Sequence, residues 1–330
     1  MEQYCVIGKS IPKKEGWDKV TGRVKYIDDK QEIGTLHVKL LTSAYAHAYL
    51  DQIDIEEAWG VQGVRMIVTG KDYPLLVGTT LVDRPILAFD KVRYFGEPIA
   101  MVIADSEAIA AQAVSLIRVT YRELPVVNSP LQAYQEGAPL VHEQLQQYKI
   151  TSQVRPEPGT NIANRMRIRK GNIVEGFAQC DVIAQAVEVE FDTRDYTYKL
   201  IRAVSVADAG QILNQKGAET QIMGAMSMGL SFATREGFKY DDKGRVLTNQ
   251  FRSYKVLHYG EQPKYIVQFI ENPVDGSPFG SRGLGEHGIM GMPAAVANSL
   301  SVASDVSLHQ LPLTPEYIWK TKKQGGDRFQ

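Results

Sequence analysis

Short apolar runs separated by turn residues dominate the first third of the chain. Residues 36–41 alternate between apolar and polar side chains, and residues 64–69 form a second run, rich in β-formers, that ends at Gly70. Residues 98–104 are almost continuously apolar, which is typical of a buried central strand. The pattern therefore predicts three strands within the first 104 residues.

A helix follows these strands directly. In residues 106–117 the apolar side chains recur at three- and four-residue spacing, which places them on one face of a helix. Ser106 stands where an N-cap is expected, and residues 119–121 return to β-forming types. The order strand, helix, strand predicts a mixed α/β domain over residues 1–125.

The rest of the chain divides into a connector and a second α/β region. Residues 126–160 carry several prolines and little periodicity, which predicts a connector. Residues 161–330 are expected to form the second region, around strands drawn from residues 187–210. The alternating basic residues of 165–170 favour a strand with one solvated face over a nucleic-acid patch. Asp-Lys-Gly at 242–244 predicts a hairpin.

Composition and charge exclude several classes of protein. The 330 residues are 44% hydrophobic and 23% charged, which is ordinary for a globular protein. With 37 basic and 38 acidic side chains the net charge is -1, so no nucleic-acid or membrane partner is expected. No apolar run approaches the ~20 residues of a bilayer span, and the N-terminus does not have the pattern of a signal peptide. Cys5 and Cys180 are too few for a cysteine-ligated iron–sulfur cluster, and we expect a cytoplasmic protein.

A glycine-dense loop carries the candidate chemistry. Residues 277–286 read Ser-Pro-Phe-Gly-Ser-Arg-Gly-Leu-Gly-Glu, and residues 287–301 have helical character. Glycine allows the backbone to take positive φ or to approach a ligand closely. Glu286, held at the junction of loop and helix, is a candidate general base. The alternative is an ordinary acid at a helix start that interacts with the helix dipole.

The same loop resembles a known family. Residues 278–286 are similar to the closing active-site loop of the xanthine dehydrogenase/aldehyde oxidase family of molybdenum hydroxylases, and residues 311–316 resemble the C-terminal signature of its molybdopterin-binding subunit. Residues 42–48 and 91–98 resemble the family's hammerhead domain. The resemblance implies an α/β (α+β) fold, with a hammerhead-like α/β domain followed by a molybdopterin-binding α/β domain. It makes Glu286 the catalytic base.

A second element resembles part of the family's cofactor site. Residues 221–229 read Gln-Ile-Met-Gly-Ala-Met-Ser-Met-Gly and are similar to the family pattern Gln-x-x-Gly-x-x-x-Gln-Gly, with Met228 in place of the second glutamine. By this resemblance the candidate cofactor-binding residues are Gln221, Gly224, Gly280, Ser281, Gly283 and Gly285. The alternative for residues 221–233 is a helix packed through small residues and methionines. No side chain is expected to ligate the metal, because the pterin holds it in this family.

The family's central region is missing from this chain. From about Ala184 the sequence already resembles the far C-terminal portion of the family, and no Gly-Gly-Gly-Phe-Gly loop occurs. The resemblance therefore implies an internal deletion near residues 181–185 and a partial molybdopterin-binding domain.

The resemblance also implies a function. It predicts a component of a xanthine dehydrogenase-like hetero-oligomer in purine metabolism, with molybdenum–molybdopterin as cofactor, that hydroxylates an N-heterocycle or aldehyde and is inactive alone. FAD and [2Fe-2S] are expected on partner subunits, and a further chain is expected to carry the missing segment. One alternative is a non-catalytic interaction module or degenerate remnant of that subunit. Another is the product of a disrupted reading frame with no independent role.

Overall fold

The computed structural model describes residues 5–30, 32–151, 154–163 and 182–325. The strands in these ranges are β1 (His37–Thr42), β2 (Ala48–Asp54), β3 (Val64–Thr69), β4 (Leu76–Val77), β5 (Leu81–Val82), β6 (Arg84–Pro85), β7 (Lys91–Val92), β8 (Pro98–Ala104), β9 (Arg118–Glu123), β10 (Lys149–Ile150), β11 (Ile183–Phe191), β12 (Tyr198–Asp208) and β13 (Lys264–Ile270). The α-helices are α1 (Gly16–Val20), α2 (Glu56–Trp59), α3 (Glu107–Leu116), α4 (Pro130–Tyr134), α5 (Gln215–Thr234), α6 (Phe251–Tyr254), α7 (His287–Met290), α8 (Met292–Ser304) and α9 (Pro315–Lys323). None of the helices in these ranges has the length and apolar content that a bilayer span requires.

The chain forms two compact units, and each is discontinuous in sequence. The first unit comprises Lys25–Asn172 and Lys239–Leu247, and the second comprises Met1–Val24, Ile173–Phe238 and Thr248–Gln330. Mixed α/β structure in both units confirms the predicted fold class. The division at residues 125 and 160 stays a prediction.

Two three-stranded sheets frame the first unit. In one sheet β8 lies between β1 and β3, antiparallel to both, and in the other β2 lies between β7 and β9. Helix α3 packs Ala110 and Ala113 into the same core cluster as Val102 of β8. Ser106 caps α3 as predicted, because its Oγ accepts a hydrogen bond from the Ile109 N–H at 3.3 Å. Strands β3 and β8 have the predicted bounds.

The residues expected as a connector are part of the first unit. Ser129 Oγ caps α4 by accepting a hydrogen bond from the Gln132 N–H at 3.1 Å. Strand β10 pairs antiparallel with β5, with Lys149 opposite Val82. The predicted hairpin turn is also present, since Tyr240 and Val246 form an antiparallel bridge.

A mixed three-stranded sheet and two helices form the second unit's core. Strand β12 is central, antiparallel to β11 and parallel to β13. Helices α5 and α8 share one buried cluster, to which they contribute Ile222, Met226, Leu230, Met292, Val296 and Leu300. At Gly229 of α5 a Cβ would stand 2.7 Å from Met292 Cβ, so the close approach of the helices depends on the missing side chain. Strand β13 was not predicted.

The helical character expected over residues 287–301 is confirmed, and the segment is divided into α7 and α8. The Gln185 side chain of β11 lies at the break between them. Its Nε2 donates a hydrogen bond to the Gly288 carbonyl at 2.8 Å, and its Oε1 accepts one from the Gly291 N–H at 2.7 Å. A side chain inserted into the helical hydrogen-bond ladder is a recognised cause of a kink.

Two predictions fall partly or wholly outside the described residues. The basic segment 165–170 lies outside them, as does Asp181 at the start of the predicted deletion. The residues that follow Asp181 belong to the sheet of the second unit. Strand β11 begins at Ile183, and the Val182 carbonyl accepts a hydrogen bond from the Asp208 N–H at 2.9 Å.

Candidate functional site

Two loops of the second unit meet at the end of β12. Residues 209–214 lead from Asp208 into α5, and residues 277–286 lead into α7. Gly210 and Ser281 form an antiparallel bridge between them. Gly210 has φ +61°, and a Cβ there would stand 2.3 Å from the Gly280 carbonyl oxygen. Only glycine allows the loops to approach this closely.

An ion pair at the end of β12 fixes the glycine-dense loop. Arg282 Nη2 lies 3.6 Å from Asp208 Oδ2, and both side chains are largely buried. The Arg282 N–H also donates a hydrogen bond to the Ala209 carbonyl at 3.0 Å. The Asn272 amide donates to Asp208 Oδ2 at 3.0 Å, and this hydrogen bond, with the charge of Arg282, lowers the pKa of Asp208. These contacts make Asp208 an anchor for the loop.

One hydrogen bond joins the two sequence elements predicted to form a site. Gln221 Nε2, on the second turn of α5, donates to the Gly285 carbonyl oxygen at 2.8 Å. Gly285 immediately precedes Glu286, so the amide is held beside the candidate base. Asn214 begins α5 and its side-chain oxygen accepts a hydrogen bond from the Gly217 N–H at 2.9 Å.

Glu286 occupies the N-cap position of α7, and its side chain makes no capping hydrogen bond. The residue is exposed, whereas His287 and Gly288, which follow it, are buried. The buried pair anchors the start of α7, since a Cβ on Gly288 would stand 2.5 Å from the Ile222 carbonyl oxygen. The Glu286 side chain therefore extends from a firmly packed backbone into open space.

A groove of about 430 Å³ runs between the two loops and the first turns of α5. Gln221, Ser281 and Gly285 line it, together with Arg282 and Leu284. Gly283 and Gly285 have no atom within 4 Å of where a Cβ would stand. Their backbone is therefore open to close approach by a ligand.

The remaining predicted residues have different positions. Gly224 lies on α5 one turn beyond Gln221, exposed and with open space at its Cβ position. Gly280 has φ +70°, and a Cβ would stand 2.7 Å from Pro273 Cβ, so its glycine is required by the turn. Ser281 Oγ donates to the Pro278 carbonyl at 2.8 Å, inside the loop.

The sequence did not point to the residues that fix the conformation of the glycine-dense loop. Arg282 and Asn272 were not selected, although together they anchor Asp208. Arg282 lies within the glycine-dense loop, and an arginine among glycines was the available signal. Asn272 gives no signal of its own, because its partner is 64 residues away in the sequence.

Two family models match the chain and identify its family. Residues 21–125 match the aldehyde oxidase and xanthine dehydrogenase a/b hammerhead domain, and residues 105–263 match a molybdopterin cofactor-binding domain. The chain belongs to the xanthine dehydrogenase/aldehyde oxidase family, in which these two domains are part of the molybdopterin-binding subunit. The cofactor of that domain is molybdenum–molybdopterin.

Two relatives show how much of such a subunit is represented. The chain is 36% identical over 186 residues to a probable xanthine dehydrogenase subunit of Bacillus subtilis (strain 168), covering 56% of this chain and 23% of that protein. It is 31% identical over 192 residues to the nicotine 6-hydroxylase large subunit of Paenarthrobacter nicotinovorans, covering 55% of this chain and 22% of that protein. The chain thus spans less than a quarter of the length of these relatives.

A solved structure shares the overall fold. A chain of quinoline 2-oxidoreductase from Pseudomonas putida 86 superposes with a TM-score of 0.77 over 98% of this chain and 99% of that one, at 13% sequence identity. At this identity the likeness concerns the fold alone.

Proposed function

We propose that the chain is the base-carrying part of a molybdenum hydroxylase that oxidises an N-heterocycle or an aldehyde. The observation that supports this most directly is the hydrogen bond from Gln221 to the Gly285 carbonyl. It brings the two family motifs together, 64 residues apart in sequence, next to Glu286. The similarity to a protein named nicotine 6-hydroxylase favours an N-heterocycle, including a purine, as substrate.

The groove fits one edge of a pterin cofactor. Gly283 and Gly285 leave backbone open where a side chain would otherwise stand, and the Gln221 amide offers a donor and an acceptor. These groups suit recognition of a flat, polar heterocycle. The resemblance to the family pattern is incomplete at Met228 of α5, because its thioether cannot donate a hydrogen bond as the family's glutamine does. When bound, the molybdenum centre would supply the oxidising power for hydroxylation.

Glu286 would accept the proton that hydroxylation releases. A carboxylate suits this role because it is ionised at neutral pH and becomes a stronger base once a closed site excludes water. In the isolated chain Glu286 is exposed, so further protein must enclose it. Enclosure would turn an ordinary surface acid into a general base.

The partner would carry the segment that this chain lacks. In the family that segment enters near residues 181–185, and Val182 is hydrogen-bonded to Asp208 at the edge of the groove. A partner entering there would meet the groove directly. Met228 and Phe232 on α5 are 64% and 49% exposed, and exposed apolar residues on one helix face favour a protein contact. FAD and [2Fe-2S] subunits would remove the electrons that hydroxylation releases. Together with this chain they would form a cytoplasmic hetero-oligomer.

A non-catalytic interaction module is the second candidate function. Met228 supports it, since a chain that no longer holds the cofactor would be free to lose a glutamine at that position. The exposed apolar residues of α5 fit this role equally well. The two candidates therefore differ in cofactor content rather than in partner binding.

Metal and pterin analysis of the purified chain, alone and co-expressed with its genomic neighbours, tests the proposal. We expect no stoichiometric molybdenum in the chain alone, since several hydrogen bonds worth ~0.5–1.5 kcal/mol each are missing from the site. The assembled complex should contain molybdenum and pterin near one per chain. A stable complex without either would establish the interaction module instead, and a fully loaded isolated chain would refute the need for a partner.

A further inference from the structure

A second cavity, in the first unit, carries polar groups that the proposed function does not use. It measures about 410 Å³, and its walls combine the apolar side chains of Val127, Val141 and Leu145 with the polar side chains of Asp83 and His142. Small-molecule sites typically have this composition, an apolar lining with a few placed polar groups.

Strand pairing brings the polar groups together. Strand β10 pairs with β5 so that Lys149 lies opposite Val82, which places Tyr148 next to Asp83 across the ladder. The Tyr148 hydroxyl lies 3.0 Å from His142 Nδ1, and the two rings meet edge to face at 5.4 Å. The imidazole is therefore oriented by a residue that the sheet itself positions.

The residues on either side of His142 are also held in place, one through its backbone and the other through its side chain. The Val141 N–H donates to Asn161 Oδ1 at 2.9 Å, and the Asn161 amide donates in turn to the Pro139 carbonyl at 3.0 Å. On the other side, Glu143 Oε1 lies 2.7 Å from Lys91 Nζ, and the Lys91 side chain is only 1% exposed. Rigid support of this kind is what a binding side chain needs in order to be pre-organised.

The outer edge of this arrangement is open to a ligand. His142 Nε2 and Asp83 Oδ2 are 4.0 Å apart, which is too long for a hydrogen bond. We propose that Asp83 and His142 form a recognition pair for a small neutral lactam or carboxamide. The ligand N–H would donate to Asp83, and its carbonyl would accept from His142 Nε2–H.

The protonation state of the imidazole agrees with this pairing. Burial, reinforced by the charge of Arg93, lowers the pKa of His142, so the ring is neutral at pH 7. If Nδ1 accepts the Tyr148 hydroxyl proton, the single ring proton resides on Nε2 and faces the gap. A donor beside a carboxylate then matches the acceptor and donor of an amide edge.

The inference is tested by measuring the binding of 2-pyridone to the full chain, with saturation-transfer NMR to detect it and calorimetry to give the dissociation constant. We expect a dissociation constant of about 1 mM or tighter for so small a ligand. N-methyl-2-pyridone, which lacks the N–H but keeps the shape, should bind at least about tenfold more weakly. This comparison uses unaltered protein, so folding cannot confuse it.

Two variants locate the site. Asp83→Asn and His142→Phe should each weaken 2-pyridone binding by about tenfold or more, whereas Glu107→Gln, on the exposed surface of α3, should leave it unchanged. Thermal melts of each variant confirm that the fold is retained. Absence of binding, equal binding of the two pyridones, or binding that survives Asp83→Asn would each overturn the proposal.

Discussion

The groove of the second unit and the cavity of the first differ in how far their candidate functional side chains are exposed and held in place by neighbouring residues. Gln221 lines the groove from an exposed position on α5, and the exposed Glu286 follows the lining residue Gly285 directly. The cavity holds His142 between clamped neighbours and next to the buried Lys91. Under the proposed function the first arrangement would require further protein around Glu286, whereas the residues that line the second all belong to one unit. The comparison shows that a candidate catalytic group can be exposed while the backbone that carries it is firmly packed.

Replacing the candidate base gives the largest expected effect. Glu286→Gln keeps the shape and hydrogen-bonding reach of the side chain but removes its basicity. In the assembled complex we expect turnover to fall by about 10²–10⁴ while molybdenum content is unchanged, measured by steady-state kinetics and metal analysis. Normal turnover with glutamine at this position would make Glu286 an ordinary helix-start acid.

Two glycines of α5 allow a buried and an exposed position on the same helix to be compared. Gly229→Ala places a Cβ 2.7 Å from Met292 Cβ and should lower the free energy of unfolding by about 1–3 kcal/mol through overpacking. Gly224→Ala meets nothing within 4 Å and should raise it by about 0.5–1 kcal/mol through helix propensity. Urea unfolding of the isolated chain measures both.

The difference in unfolding free energy between the two alanine variants tests whether Gly224 lies on an open surface. Equal destabilisation by both alanines would mean that the surface around Gly224 is already covered. In that case the surface of α5 around Gly224 is not available to a partner.

The buried ion pair of the first unit predicts an asymmetry. Glu143→Ala leaves the Lys91 ammonium without its partner and should destabilise by about 1–3 kcal/mol. This is less than for a fully buried pair, because Glu143 is 47% exposed and water can partly replace it. Lys91→Met removes the buried charge itself and should cost less than about 1 kcal/mol. If Lys91→Met proves the more harmful change in urea unfolding, the stability of this part of the first unit depends on the charge of Lys91 rather than on its packing.

The smallest expected effect concerns the anchor of the groove. The Asn272 hydrogen bond lowers the pKa of Asp208 in the folded chain, so the folded state binds this proton less readily than the unfolded state. Asp208 therefore contributes stability above its unfolded-state pKa of about 3.9 and loses it as pH falls through the lower folded-state value. Asp208→Asn should lower the urea midpoint at pH 7, and the difference from the unaltered chain should shrink toward pH 3. A difference independent of pH would show that charge plays no part in the anchor.

Sequence reasoning succeeded where local pattern and local structure coincide. The buried strand β8, strand β3 and the Ser106 cap of α3 have the expected positions, because apolar runs and capping residues act over a few neighbours. Strand β13 was missed, although Tyr265, Val267 and Phe269 alternate toward the core. Its place in the sheet depends on parallel pairing with β12, which no nearby residue specifies.

By itself the sequence determined the class of this protein and its candidate chemistry. The glycine-dense loop that ends at Glu286 and the Gln221 segment both carry recognisable motifs, since their residue types follow from what a tight loop and an amide contact require. Tertiary structure alone decided that Gln221 reaches Gly285, that Gln185 breaks the helix after Glu286, and that Asp208 anchors Arg282. These contacts join residues 64 or more positions apart, and their geometry arises only when strands and helices pack. The cavity around His142 belongs to the same category, because a strand pairing and two separate clamps create it from residues that carry no shared motif.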